Sequence, residues 1–271
     1  MLKEVNQVKL SWLPSKGRVY PANVEIYVSP MTIRGRKLLE GANPAEYYRI
    51  LLEGIEIRGP LNKKDLLFHD VQFLDIARRI FTYSSDDSIT VSSYMCPHCN
   101  KTNVTVTFKA SEMEYEDYAA DIFESEKPVR DEETGEIVKQ ELTPGKLYTF
   151  NDGLEVTVLP LTVGEYIDMM TTYITNQDLD DIYQTYVETF MAQFIYLIKD
   201  IPGRQFQDVR MMRDFLKDYI FGLYTDEDSE LLDKIDEDSN TIPKPILTKC
   251  PDCGKEVEVH VTPSLRFQRP V

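Results

Sequence analysis

Residues 92–106 read SSYMCPHCNKTNVTV. The CPHC within this stretch admits two chemistries. It can be a thiol–disulfide couple, or a turn in which Cys96 and Cys99 direct two thiolates at one metal. The flanks separate the two. A redox CxxC draws its reactivity from a helix N-terminus, where the dipole stabilises the thiolate. Here Val104, Val106 and Phe108 alternate with polar residues after Cys99, which is the period of a strand. SITVSSY before Cys96 also reads as extended. CPHC is therefore expected at the tip of a strand–turn–strand hairpin.

The same device returns near the other end of the chain. KCPDCGK at 249–255 carries Cys250 and Cys253, and Val257, Val259 and Val261 alternate after it. Pro97 and Pro251 stiffen the two turns. The residue after each second cysteine needs a positive φ, which Gly254 supplies freely and Asn100 tolerates. Two such knuckles make a tetrahedral four-cysteine site, the closed arrangement of a structural zinc. Cys96, Cys99, Cys250 and Cys253 are the expected ligands of one zinc per chain. Four thiolates can also hold a single iron, but nothing in the chain points to an electron-transfer partner.

The three histidines are expected to stand apart from this site. His98 lies between two cysteines and is expected to point outward, and His260 alternates out of phase with its strand's valines. His69, beside Asp70 in a helical stretch, reads as a lone surface residue. A metal at the four cysteines would join distant parts of the chain. Structural zinc contributes about 10 to 16 kcal/mol in small peptides, against about 5 to 15 kcal/mol for a whole domain. Losing it should open the protein or at least detach its two ends.

Composition bounds the rest. At 271 residues, 42% apolar and 28% charged, the chain is a folded, soluble type of one large or two small domains. No apolar leader is evident at the N-terminus, and FMAQFIYLI at 190–198 is too short for a membrane span. The expected setting during folding is a cytoplasm. A net charge of -16 opposes a phosphate-rich partner, so neither nucleic acid nor membrane is expected. The acidity concentrates in 111–141 and 225–240, as solvated loops or helix faces or as a docking surface for a basic partner.

The chain also echoes itself. VEIYVSPMT at 24–32 and LEVTVLPLT at 154–162 share a strand, a proline that ends it, and a threonine suited to cap a helix. Glu165 stands three residues after Thr162, as in a capping box. Helices are expected from Ile33 and Val163, then over 44–53, 63–80, 181–200 and 206–223. Tyr183, Val187, Phe190, Met191, Phe194 and Leu197 form an apolar stripe at helical spacing, read as core. The expected fold is α+β: two pseudo-repeated lobes of short strands and helices joined by a zinc-ribbon-like four-cysteine site built from two CPxC hairpins. The lobes are placed at 1–110 and 146–271, with 111–145 an acidic connecting segment.

No glycine-rich phosphate loop, nucleophile elbow or HExxH occurs. Gly17 in LPSKG reads as a turn between two strands. A metal held by four cysteines has no open position for substrate, so no catalytic residue, cofactor-binding residue or small-molecule substrate is expected.

Taken together, the motifs resemble the T4-type phage baseplate proteins, a family of hub subunits and hub-assembly factors of contractile tails. The resemblance rests on LPSKGRVYP at 13–21, IYVSPMT at 26–32, the second strand–Pro–x–Thr segment and the paired CPxC hairpins. A helical element at IPGRQFQDVR, 201–210, and an extended end at SLRFQRP extend it over nearly the whole chain. The chain departs after PMT, where Ile33, Arg34, Gly35 and Arg36 replace an acidic pair. The resemblance implies a non-enzymatic structural or assembly role in the baseplate hub, with other baseplate and tail proteins as partners. It implies a place in the virion tail after assembly in the host cytoplasm. The segments around LPSKGRVYP and SLRFQRP are the expected partner contacts, by strand addition to a neighbour. A zinc-ribbon adaptor that binds host transcription machinery is the alternative, and a CPHC thiol oxidoreductase the third reading.

Overall fold

A computed structural model describes residues 6–83, 88–102, 104–109, 113–130, 137–173, 182–223 and 225–259. The chain starts with β1 (Asn6–Val8), β2 (Glu25–Val28), α1 (Ile33–Glu40), α2 (Pro44–Glu53) and β3 (Ile55–Arg58). Then come α3 (Phe68–Tyr83) and the hairpin of β4 (Ser88–Tyr94) and β5 (Val104–Lys109). A second hairpin, β6 (Glu124–Arg130) and β7 (Ile137–Pro144), precedes β8 (Lys146–Thr149), β9 (Glu155–Val158) and α4 (Val163–Tyr173). The chain continues through α5 (Ile182–Leu197), β10 (Ile198–Asp200), α6 (Val209–Phe221) and α7 (Asp226–Ser239). It reaches a last hairpin in β11 (Ile246–Lys249) and β12 (Glu256–Val259).

The fold is α+β, and its two halves repeat a plan. Each has a three-stranded antiparallel sheet, β1-β2-β3 in one and β8-β9-β10 in the other. In each, the central strand leads through a proline to a threonine-capped helix. Gly35 N–H donates to Thr32 Oγ1 at 3.0 Å. Thr162 and Glu165 form the reciprocal box, with Glu165 N–H on Thr162 Oγ1 at 3.2 Å and Thr162 N–H on Glu165 Oε2 at 2.9 Å. Each half then ends in a two-stranded CPxC hairpin, β4-β5 or β11-β12.

The halves are interlocked rather than strung together. One hydrophobic cluster draws on residues from Val8 to Ile235. Leu67 bridges Thr162, with Phe68 N–H on Leu161 O at 2.8 Å and Val163 N–H on Leu66 O at 2.7 Å. α2 packs against α4. The acidic stretch takes part as well. Tyr118 and Ile122 are buried in the core, and Glu116 N–H and Lys244 N–H bond Ile242 O and Glu114 O across a bridge of Tyr115 to Pro243.

Several expectations need correction. The helix expected over 181–200 ends at Leu197, because Ile198–Asp200 pairs with β9; an edge pairing so far along the chain outweighs local helical periodicity. Residues 201–208 are not helical: Gly203 has φ +80°, and the helix starts at Val209, capped by Asp208, whose carboxylate accepts from Met211 N–H at 2.9 Å. Within the apolar stripe of α5, Phe194 and Leu197 are buried while Phe190 is exposed. The side chains of Tyr183 and Val187, as well as His260 and SLRFQRP, lie outside the described residues.

LPSKGRVYP is folded back rather than extended. Leu13, Pro14, Ser15 and Tyr20 are buried, and Lys16 and Gly17 take consecutive positive φ values of 55° and 70° to turn the chain between β1 and β2. The anchor is Asp70 of α3, fully buried. It accepts Ser15 N–H at 2.9 Å, Ser15 Oγ–H at 2.5 Å and Tyr20 O–H at 2.6 Å. Tyr20 in turn accepts Leu67 N–H at 2.8 Å. Burial raises the Asp70 carboxyl pKa, and the bonds from Ser15 and Tyr20 oppose that rise. His69 is not a surface residue. It is half-buried, its Nδ1 lies 3.2 Å from Tyr118 Oη, and burial lowers its pKa to about 4.

Candidate metal centre

Each hairpin holds its cysteines with the same backbone. Asn100 N–H bonds Cys96 O at 2.9 Å and Cys96 N–H bonds Lys101 O at 3.1 Å. In the second knuckle Gly254 N–H bonds Cys250 O at 2.8 Å and Cys250 N–H bonds Lys255 O at 2.9 Å. Both closing residues are left-handed, Asn100 at φ +55° and Gly254 at φ +71°, as the sequence requires. The register of β4 on β5 and of β11 on β12 then places each CPxC at a hairpin tip.

The two tips meet. The sulfur atoms of Cys96, Cys99, Cys250 and Cys253 all lie within 4.8 Å of one another, and Cys96 Sγ is 3.8 Å from Cys253 Sγ. Zinc–sulfur bonds of about 2.3 Å at tetrahedral angles set sulfur separations of about 3.8 Å. The spacing suits one divalent cation among four thiolates, and all four cysteines are free of disulfides. Cys96 and Cys250 form a small apolar cluster with Val257 and Val259, whereas Cys99 and Cys253 face solvent.

The electrostatics fit a cation too. Burial opposes ionisation of Cys96, yet the N–H groups of Cys99 and His98 and the thiols of Cys99 and Cys250 outweigh it and bring its pKa to about 6. For Cys99 the Lys101 N–H favours the thiolate, but burial and the other three thiols push it up to about 11. Four sulfurs this close cannot all carry charge without a counterion. A bound cation removes that conflict.

Two contacts between the knuckles escape the cysteine pattern. His98 Nε2 lies 2.9 Å from Glu256 O, and Lys101 pairs with Asp252. Both lie outside the sulfur set, and His98 is exposed and turned to the other hairpin's backbone. Their positions inside and just after the matched turns were the available signal. The cysteine spacing brings the two turns together, but nothing in the sequence says which polar groups around them pair.

Such a chain is an α+β protein with a four-cysteine site where the two CPxC hairpins meet. It belongs to the family described as T4 bacteriophage base plate protein, whose model matches residues 5–267. That assigns it a structural place in a phage baseplate, in contact with other tail or baseplate proteins. No curated protein and no solved structure matches the chain. Among the described residues, no helix is long and apolar enough to cross a membrane.

Proposed function

We propose that this protein is a structural or assembly component of the baseplate hub, folded around one structural zinc held by Cys96, Cys99, Cys250 and Cys253. The observation that carries the metal is the four-sulfur cluster assembled from two hairpins, β4-β5 and β11-β12, that are distant in the chain. The family match supports the baseplate part, and the resemblance in LPSKG, PMT and the paired CPxC turns supports the hub. The zinc supplies a closed crosslink between two lobes, 1–110 and 146–271, with 111–145 connecting them. Pro97, Pro251, Asn100 and Gly254 shape the turns that present the sulfurs. With four protein ligands there is no open position for substrate, which agrees with a non-enzymatic role. The protein takes its place in the tail baseplate of the virion, assembled in the host cytoplasm.

Elemental mass spectrometry of the purified protein tests the metal: about one zinc per chain is expected, and metal-free protein would refute it. Depletion during infection tests the role. Tail parts without complete baseplates are the expected picture in electron micrographs; normal, infectious particles would overturn the reading. Deleting 264–271 should leave the monomer folded but block co-assembly, and unchanged assembly would remove those residues from the contact.

A further inference from the structure

α1 and α7 carry complementary faces that the chain itself leaves uncovered. α1 buries no residue. Ile33, Arg34, Lys37 and Leu38 are all exposed, Ile33 by 68% and Leu38 by 48%. At i, i+1, i+4 and i+5 they form one contiguous face of two apolar groups and two cations. Among the described residues, neither Arg34 nor Lys37 has an acidic partner. Such a face is out of character for a chain of net charge -16.

α7 is the counterpart. It buries Asp228, Leu232, Ile235 and Ser239, so Asp226, Glu230, Asp233 and Glu237, two positions round the helix from each, point to solvent. Among the described residues these four carboxylates have no cationic partner. The only lysine of the helix, Lys234, pairs with Asp238. The stripe spans about 16 Å along the helix and the α1 face about 8 Å, at about 1.5 Å per residue. The shorter face therefore fits within the longer one.

We propose that α1 of one copy of this chain docks on the acidic face of α7 of another. Arg34 and Lys37 meet the carboxylates of Glu230, Asp233 and Glu237. Ile33 and Leu38 leave water against their aliphatic stems. A lipid surface is a poorer occupant: two turns of helix offer too little apolar area for stable anchoring, and the remaining acidity repels anionic headgroups. Nucleic acid is poorer for the same reason, since two cations cannot offset so acidic a body. Long-range repulsion between copies is screened beyond about 8 Å at physiological salt, whereas the pairs at contact are not. The contact is head-to-tail, because each copy offers one α1 and one α7. Association can then continue past a dimer until it closes or grows as a chain.

The test is charge exchange followed by sedimentation velocity on the full chain. The wild type should show a weight-average mass that rises with concentration. R34E/K37E and E230K/D233K should each weaken association by about tenfold or more when alone. Mixed in equal amounts they should associate again, because each reversed face finds its complement; that recovery also shows that both variants are folded. A wild type that stays monomeric, reversals that change nothing, or a mixture that fails to associate would each overturn the proposal.

Discussion

The Sγ atoms of Cys96 and Cys253 lie 3.8 Å apart although 157 residues separate them in the chain. The buried cluster of Cys96 with Cys250, Val257 and Val259 is distinct from the main core, which is built around residues such as Phe150, Phe194 and Leu216. Metal removal should therefore act first on the hairpins. Chelation is expected to raise hydrogen exchange in Ser88–Lys109 and Ile246–Val259 while α4 and the end of α5 stay protected. Cys250→Ser should reproduce this pattern, because the three thiols that remain hold zinc far less well than four. Equal exchange with and without chelator would mean that the sulfurs hold no structural metal.

Asn100 and Gly254 occupy the same left-handed position in the two knuckles. A Cβ at Gly254 meets nothing within 4 Å, so any penalty there comes from the backbone rather than from crowding. Gly254→Val should cost about 1 to 2 kcal/mol, Gly254→Asn less, and Asn100→Gly close to nothing. Thermal melts of the zinc-loaded variants would rank them. If valine and asparagine at 254 melt alike, the positive φ is not what the turn requires.

The parts legible in the sequence were those set by local chemistry. Thr32 and Thr162 mark the starts of α1 and α4 because a cap is a contact with the next turn. CPHC and CPDC mark their hairpins because the strands beside them alternate. What stayed hidden depended on distant partners. Ile198–Asp200 leaves the helix only because β9 offers an edge. LPSKG folds back only because Asp70, fifty-five residues beyond Ser15, accepts its donors. His69 looks like any helical histidine until Tyr118 arrives from the acidic stretch. The face-to-face placement of the two knuckles could be expected from four-cysteine chemistry, but the Lys101–Asp252 pair between them could not.

His69 makes a pH signature. Burial lowers its folded pKa to about 4, below the ordinary 6.5. Between those values the unfolded chain binds a proton that the folded one refuses, so this stability is full above pH 6.5 and lost as pH falls toward 4. The loss is of order 2 to 3 kcal/mol. Asp70 has the opposite sign: its raised folded pKa contributes stability at low pH that disappears as pH rises. The two are separated by comparing wild type with His69→Gln in urea titrations at several pH values. The variant should lose less stability between pH 6.5 and 4.5; identical slopes would show that the ring is hydrated in the folded protein.

Gly54 and Arg78 form the last testable pair. Gly54 ends α2 at φ -89°, a value any residue adopts, so its need for glycine is one of space. An added Cβ would lie 2.1 Å from the Arg78 guanidinium carbon. That guanidinium is buried, and it donates from Nε to Ser29 O at 2.7 Å and from Nη1 to Leu51 O at 3.3 Å. It thus ties α3 to the end of α2 and to the exit of β2. Burial lowers its pKa and the charge of Asp75 opposes that, so displacing the group removes a cation from a site that has been built for it. Gly54→Ala is expected to cost about 1 to 3 kcal/mol, and Arg78→Met a similar amount, chiefly through the Ser29 carbonyl left without its donor, since Leu51 O keeps the Gly54 N–H. Because both substitutions remove the same bonds, the double variant should fall short of their sum by about 1 kcal/mol or more. Urea denaturation of the three variants measures this directly, and strictly additive losses would mean that the glycine does not serve the arginine.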